Sequence, residues 1–152
     1  MIPLQLFPEL SLVFLAILSV STRNPRYYRI LAGGILTIFI GALLKKMTRR
    51  MTPFVPESII LRPKGARNCN FTQKGLCERE TGMPSIHSMI AGYYASKLRC
   101  HNKAVALSMI LVPLSRLQQD EFPIINHGEY GCHTWAQISI GFLLGIHLGN
   151  IF

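Results

Sequence analysis

The sequence predicts an all-α protein, an integral membrane helical bundle of about five transmembrane helices in one domain, and three observations support this. Of the 152 residues, 49% are hydrophobic, and they are concentrated in blocks of helix length. The formal net charge is +9, and most of the basic residues lie between the apolar blocks. A chain of this length fits a single domain, and it contains no internal repeat, low-complexity tract or heptad pattern.

Two long apolar blocks come first. Residues 4–21 contain one charged residue, Glu9, and approach the ~20 residues that a membrane-spanning helix needs. A cleaved signal peptide is the alternative, but no basic region precedes the block, which favours a retained span. Residues 27–44 form the second predicted span, which ends at Lys45 and Lys46.

Three further helices are predicted beyond a long loop. Residues 45–83 are rich in Lys, Arg, Pro and Gly, and we expect a structured, functional loop there. Residues 84–98 and 104–115 are helical in pattern but short and partly polar, so they need neighbouring helices to be stable in lipid. A polar loop, 116–133, leads to the last predicted span, 134–151.

The strong positive charge has a membrane explanation. In a soluble protein such a charge would indicate nucleic-acid binding, but basic clusters beside apolar spans are typical of membrane proteins. We therefore predict a membrane and no nucleic acid as partner. The four cysteines form no Cys-x-x-Cys pair or zinc pattern, so neither a metal nor another cofactor is predicted.

Five spans place the two long loops on the same side of the membrane. The short loops, 22–26 and 99–103, contain basic residues and no acid, which favours the cytosol for them. The long loops would then face the lumen or the extracytoplasmic side. A glycosylation sequon at Asn70 and a disulfide between two of Cys69, Cys77 and Cys132 would be consistent with that side.

Histidine and arginine stand out in the long loops. Metal-free cleavage of a phosphate ester or anhydride needs cations for the non-bridging oxygens, a nucleophile for phosphorus and an acid for the leaving oxygen. Arg62 and Arg116 can bind such oxygens. His87 and His133 can serve as nucleophile or acid, because imidazole titrates near neutrality. Each histidine also lies beside a predicted helix start, where backbone N–H groups favour phosphate.

These segments resemble the tripartite signature of the type 2 phosphatidic acid phosphatase superfamily, which is Lys-x6-Arg-Pro, then Pro-Ser-Gly-His, then Ser-Arg-x5-His-x3-Asp. The matching segments are Arg62-Pro63, Pro84-Ser85-Ile86-His87, and Ser115-Arg116 with His133 and Gln137. Residues 62–70 and 82–87 resemble in particular a compact branch found in large DNA viruses. Residues 133–137 are similar to the dolichyl diphosphate phosphatase branch, and the whole resemblance covers about residues 40–149.

The resemblance implies a membrane enzyme that hydrolyses a lipid phosphate or prenyl diphosphate through a phosphohistidine. In it, His133 is the nucleophile, and His87 protonates the leaving oxygen and later activates water. The implied substrate-binding residues are Arg62, Arg116, Ser85, Gln137 and a lysine of the pair Lys45 and Lys46. The family core has six spans, so a chain with five is compatible with a homodimer that completes the packing.

The chain departs from the family pattern at several points. Ile86 replaces the glycine of the second motif, and Gln137 replaces the aspartate of the third. Sixteen residues separate Arg116 from His133 instead of five, and no lysine precedes Arg62 by seven positions. Two alternatives follow: a catalytically weak or inactive relative that binds anionic lipid or scaffolds a membrane, and a basic membrane protein that binds nucleic acid or viral components through residues 45–79.

Overall fold

A computed structural model describes residues 7–66, 80–99, 103–117 and 131–152. They form seven helices: α1 (Phe7–Thr22), α2 (Pro25–Arg50), α3 (Glu57–Ile60), α4 (Ile86–Leu98), α5 (Lys103–Ser108), α6 (Leu111–Leu114) and α7 (Trp135–Ile151). Within those ranges there is no strand, and two isolated bridges join loop segments. The prediction of an all-α protein is confirmed.

Helix α2 is longer than the predicted span 27–44. The Asn24 side chain accepts a hydrogen bond from the Arg26 N–H at its start, and Pro25 occupies the first turn. The helix continues past Leu44 to Arg50 because residues 45–52 contain neither glycine nor proline. The predicted loop 45–83 therefore begins only after Arg50, and its first basic residues belong to the last turns of α2.

Among the described residues, α2 is the one helix long and apolar enough to cross a membrane, while α1 and α7 are apolar but shorter. At 26 residues and ~1.5 Å per residue, α2 extends over roughly 39 Å, which exceeds the ~30 Å of a bilayer's hydrocarbon core. This indicates a membrane association.

The predicted helix 104–115 is divided into α5 and α6 by a turn at Met109 and Ile110. Pro113 explains the division. A proline ring inside a helix clashes with the carbonyl four residues earlier, here that of Met109, and it lacks an N–H for the helical hydrogen bond. This segment is thus two short helices rather than one continuous helix.

Helix α4 is the centre of the molecule, as its half-polar composition required. It packs chiefly on α7 and α2, and most of its side chains are buried. Along α7, Gly141, Gly145 and Gly149 recur every fourth residue and face α4. A Cβ at Gly145 would overlap the Met89 carbonyl oxygen, so only glycine permits this backbone contact.

Helix α2 packs on another part of α4 through its own glycines. Gly33 provides room for the Tyr93 ring, whose hydroxyl donates a hydrogen bond to the Ile30 carbonyl at 3.1 Å. Gly41 lies at one end of this contact between α2 and α4, and a Cβ there would lie 3.0 Å from Cγ1 of Ile86. Ile86, the residue that replaces the family glycine, thus uses the space that a glycine on α2 leaves open.

Large apolar side chains cover the outside of α1, α2 and α7. Phe39 is 68% exposed and Leu143 is 64% exposed. Other members of this exposed set are Val13, Phe14, Ile17, Val20, Ile35, Leu36, Leu43 and Ile151. Soluble monomers rarely expose so continuous an apolar surface.

Candidate active site

The three motif segments meet at one end of α4 and α7 through backbone hydrogen bonds. Leu61 and Thr81 form an antiparallel bridge. Beside it, the Arg62 N–H donates to the Glu80 carbonyl at 2.9 Å, and the Gly82 N–H donates to the Ile60 carbonyl at 2.8 Å. The first motif is therefore fixed against the start of the second.

The third motif is closed by its own backbone contacts. The Arg116 carbonyl accepts hydrogen bonds from the N–H groups of Cys132 and His133, both at 3.1 Å. Leu117 and His133 form the second bridge, which is parallel. The long spacing between Arg116 and His133 therefore does not separate them, as expected of an inserted loop whose two ends are close.

Gln137 joins all three segments. It lies in the first turn of α7, 0% exposed, and its Nε2 donates hydrogen bonds to the carbonyls of Ile59 at 3.0 Å and Leu61 at 2.7 Å. Its backbone carbonyl accepts the Ser85 N–H at 3.2 Å. Its Oε1 lies 3.1 Å from Nδ1 of His133.

These contacts determine which nitrogen of His133 carries the proton. Two carbonyl acceptors use both hydrogens of the Gln137 amide nitrogen, so the amide oxygen must face His133. The same oxygen accepts the Thr134 N–H at 3.3 Å. An oxygen can only accept, and Nδ1 of His133 must therefore carry the hydrogen. The lone pair of the neutral imidazole then resides on Nε2, the nitrogen free to act as a nucleophile.

Gly82 allows Gln137 to occupy this position. A Cβ at residue 82 would overlap Oε1 of the Gln137 amide and lie 2.6 Å from Cδ and 2.7 Å from Nε2. The amide cannot retreat without losing its hydrogen bonds to the first motif. This contact joins residues that are far apart in sequence, and no sequence pattern indicated it.

Three cations surround the imidazole. Burial is the largest cause that lowers the pKa of His133 well below 6.5, and the charges of Lys45, Arg62 and Arg116 lower it further. The hydrogen bond with Gln137 acts in the opposite direction. His133 is only 2% exposed, so at neutral pH it is an uncharged, buried base within a positive field.

The cations are themselves largely inside the protein. Arg62 is 7% exposed and Arg116 is 3% exposed, and burial lowers the pKa of Arg62. Glu80 provides one carboxylate, with Oε2 at 3.6 Å from Nη2 of Arg62, but about half of its side chain is in solvent. The described cluster of Lys45, the two arginines and Glu80 thus has two positive charges in excess, which suits an anion.

The two lysines occupy different environments. Lys45 is half-buried and lies one helical turn beyond Gly41, on the α2 face that packs on α4. Lys46 is exposed. The structure therefore brings Lys45, and not Lys46, to the cluster. A sequence prediction that extended α2 to Arg50 could have distinguished the two lysines, because adjacent residues of a helix point in different directions.

Ser85 and His87 lie at the start of α4. Ser85 is the N-cap residue, is fully buried and accepts a hydrogen bond from the Ser88 hydroxyl at 3.0 Å. His87 is half-buried in the first turn. It shares a helix face with Ala91 and Tyr94, and both of these belong to the core cluster that includes Val112 of α6.

Cys132 lies beside this cluster of charged residues, and the sequence analysis did not assign it to the site. It is buried, with Nη1 of Arg116 at 3.9 Å from its sulfur. Burial raises the pKa of its thiol, against the effect of Arg116 and Arg62. Cys69, Cys77 and the Asn70 sequon lie outside the described residues.

In the described ranges, no group of three or more His, Cys, Asp or Glu side chains could hold a metal ion. The arrangement offers instead a neutral imidazole with its lone pair on Nε2, among cations suited to phosphoryl oxygens. No family model matches the chain, and no curated protein or solved structure matches it.

Proposed function

We propose that the chain is a membrane phosphatase that removes phosphate from a lipid phosphate or prenyl diphosphate through a phosphohistidine on His133. The observation that carries this proposal is the hydrogen bond between Gln137 and His133 within the cluster of cations. The hydrogen bond leaves the lone pair of the ring on Nε2, and burial together with the cations keeps the ring uncharged where an anion would be attracted. This proposal agrees with the resemblance to the type 2 phosphatidic acid phosphatases.

A bundle of about five spans is the membrane arrangement that we propose. Apolar side chains exposed on α1, α2 and α7 support it, because lipid would cover them. Helix α4, most of whose side chains are buried, would cross inside this shell, and the pair α5–α6 would cross beside it with Leu107 and Leu111 towards lipid. The acyl or prenyl tail would then stay in the bilayer while the phosphate enters the cluster. A homodimer that completes the family's sixth span stays a prediction.

In the first half of the proposed reaction, Nε2 of His133 attacks phosphorus and the bond from phosphorus to the leaving oxygen breaks. Lys45, Arg62 and Arg116 hold the non-bridging oxygens, whose charge they compensate in a site with little water. Protonated His87 gives its proton to the leaving oxygen. The imidazole becomes positive, and its Nδ1–H stays hydrogen-bonded to Gln137 Oε1.

In the second half, neutral His87 takes a proton from water, and the resulting hydroxide attacks phosphorus. The bond between phosphorus and Nε2 breaks, and its electron pair returns to the nitrogen. Inorganic phosphate leaves, and both histidines regain their starting protonation. Water has then been consumed once, and no external oxidant, reductant or metal enters the balance.

Phosphate release by the purified full chain tests the proposal. The substrates are phosphatidate, phosphatidylglycerophosphate and a prenyl diphosphate, with chelator present. We expect release by the wild type and by His147→Ala, which removes an exposed histidine of the same α7, and none by His133→Ala. An acid-labile, alkali-stable phosphoprotein should form in the wild type and in His147→Ala, and not in His133→Ala. Release that survives in folded His133→Ala would contradict the mechanism.

The role of His87 is tested with leaving groups of different acidity. If His87 protonates the leaving oxygen, His87→Ala should lose much kcat/KM with a lipid alcohol as the leaving group and less with a nitrophenol, which leaves without a proton. The comparison uses kcat/KM because it reports the first half of the reaction and not the later attack of water. Equal impairment with both would contradict this role. If folded wild-type protein releases phosphate from no substrate, the alternative of a lipid-binding relative without activity is favoured.

The side of the membrane is also a proposal. We place the active site on the lumenal or extracytoplasmic side, because the opposite end of the bundle carries basic residues without acid, in agreement with the positive-inside rule. The basic residues of that end are Arg23, Arg26, Arg29, Lys97, Arg99 and Lys103. Labelling a single cysteine at residue 99 from each side of sealed vesicles tests this, and labelling from the extracytoplasmic side alone would reverse the assignment.

A further inference from the structure

A basic cavity lies at the end of α2 remote from the candidate active site. Its volume is about 390 Å³, and it is lined by Arg26, Arg29, Ile30, Lys97 and Phe152. Three of these five residues are cationic. The cavity shares no residue with the candidate active site, so the proposed reaction does not explain it.

The position of the cavity along α2 places the two basic sites far apart. Arg29 and Lys45 are sixteen positions apart along α2, which corresponds to roughly 24 Å at ~1.5 Å per residue. This is comparable with the ~30 Å of a bilayer's hydrocarbon core. If α2 spans the membrane, the cavity opens at the interface opposite the active site, where lipid headgroups lie.

The floor of the cavity is ordered by contacts between helices. The Lys97 ammonium lies 5.9 Å from the centroid of the Tyr93 ring, in the range of a cation–π interaction. The Tyr93 hydroxyl donates a hydrogen bond to the Ile30 carbonyl. Lys97 of α4 is therefore held near the first turns of α2, where Arg26 and Arg29 project. The cations of two helices converge instead of spreading over the surface.

We propose that this cavity binds the phosphate-bearing headgroup of an anionic phospholipid in the leaflet opposite the active site. The arginines match phosphate in geometry and charge. Ile30 and Phe152 provide an apolar wall on which the glycerol and the first acyl carbons can pack. A free anion would use the cations but gain nothing from that wall, so a lipid is the occupant that both features favour.

The proposal rests on the membrane placement in the proposed function but not on catalysis. A lipid held here would anchor the N-terminal end of α2 to the C-terminal end of α4. The lipid would thus stabilise the packing of these helices at the end remote from the reaction. A variant without activity, such as His133→Ala, should keep this binding in full, which separates failure of this proposal from failure of the enzymatic one.

Native mass spectrometry of the full chain in detergent, titrated with phosphatidylglycerol or phosphatidylcholine, tests the proposal. The variant Arg29→Gln/Lys97→Gln removes two cavity cations. Each cation near an anionic headgroup contributes on the order of 1 kcal/mol, so the affinity for phosphatidylglycerol should fall about tenfold to thirtyfold. Phosphatidylcholine binding should not change.

The matched control is Arg99→Gln/Lys103→Gln, which removes two exposed cations near the same end of the bundle that do not line the cavity. It should stay within about twofold of the wild type. Equal losses in both variants, or no loss in either, would overturn the proposal. Displacement of the lipid by millimolar inorganic phosphate would also overturn it, because the site would then be one for a small anion. The single variant Arg29→Gln provides the same comparison if the double variant does not fold.

Discussion

Replacing Gln137 by Met tests the central argument about the site, because it removes the amide while keeping a side chain of similar volume. Four hydrogen bonds are lost: those to the carbonyls of Ile59 and Leu61, that from the Thr134 N–H, and that with His133. A buried neutral hydrogen bond contributes about 1 kcal/mol net. We therefore expect the free energy of unfolding to fall by about 4 kcal/mol.

The matched control is Asn150→Met, which also replaces a side-chain amide of α7 by Met. Asn150 is exposed and accepts one hydrogen bond, from the Ser96 hydroxyl at 2.8 Å. Its loss should cost about 1 kcal/mol or less. Unfolding of both variants is compared with the wild type by titration with denaturant in detergent. Equal losses of unfolding free energy in the two variants would refute the claim that both the nitrogen and the oxygen of the Gln137 amide are hydrogen-bonded in the folded protein.

The tautomer of His133 gives a second measurement for the same variant. Nitrogen-15 NMR of the imidazole should show a protonated Nδ1 and an unprotonated Nε2 in the wild type. Without the amide oxygen the ring is no longer restricted to this form, and kcat/KM should fall by about 10²-fold or more, as expected for a misassigned histidine proton. A wild-type spectrum with the proton on Nε2 would refute the reasoning, whatever the stability data show.

Two further predictions concern charge and packing. Burial and the cations hold the pKa of His133 below 6.5, so the acid limb of the pH–kcat/KM profile should lie below pH 6.5. Lys45→Met should move this limb towards higher pH, because it removes a charge that lowers the pKa of His133. Gly145→Ala should destabilise the fold by about 1–3 kcal/mol, measured as a change in free energy of unfolding, because its methyl group would overlap the Met89 backbone.

Each of these predictions has a control from the same helix. Lys46→Met removes an exposed charge next to Lys45 and should leave the acid limb in place. If the two lysine variants shift it equally, the specific role of Lys45 is wrong. Ser139→Ala changes an exposed position of α7 and should alter stability by no more than about 0.5 kcal/mol. A similar loss in Gly145→Ala and Ser139→Ala would mean that the contact between α4 and α7 is looser than the structure indicates.

The pH dependence of stability follows from the same pKa. The unfolded chain has a His133 pKa near 6.5, and the folded chain has a lower one. Above pH 6.5 neither state binds a proton at this residue, so its full contribution to stability is present. As the pH falls below 6.5, the unfolded chain binds the proton first and the folded state loses stability.

Helix positions were predictable from sequence where they depend on local composition. The apolar blocks gave α1, α2, α4 and α7 within a few residues, apart from the last turns of α2. Pro113 could also have predicted the break between α5 and α6, since its clash is with the preceding turn. Helix positions and helix breaks depend only on residues that are close in sequence, so the hydrophobic pattern and the prolines indicate them directly.

The supports of the candidate site depend on contacts between distant residues. The hydrogen bond from Gln137 to the Leu61 carbonyl joins residues 76 positions apart, and no periodicity records it. The fit of Gly82 against that amide and the proximity of Cys132 to Arg116 have the same character. Sequence motifs selected His133, Arg62 and Arg116, but the reason for a glutamine at residue 137 emerged only from the carbonyls that face it.

Those two carbonyls have a consequence for how this site could change in evolution. The aspartate typical of the resembling family has no amide hydrogens and is one carbon shorter, so at residue 137 it would leave the carbonyls of Ile59 and Leu61 without their donors. A single substitution in either direction would pass through an impaired protein. Residue 137 and the backbone of residues 59–61 should therefore diverge as a linked unit, and lineages with Gln or Asp should differ in loop conformation as well.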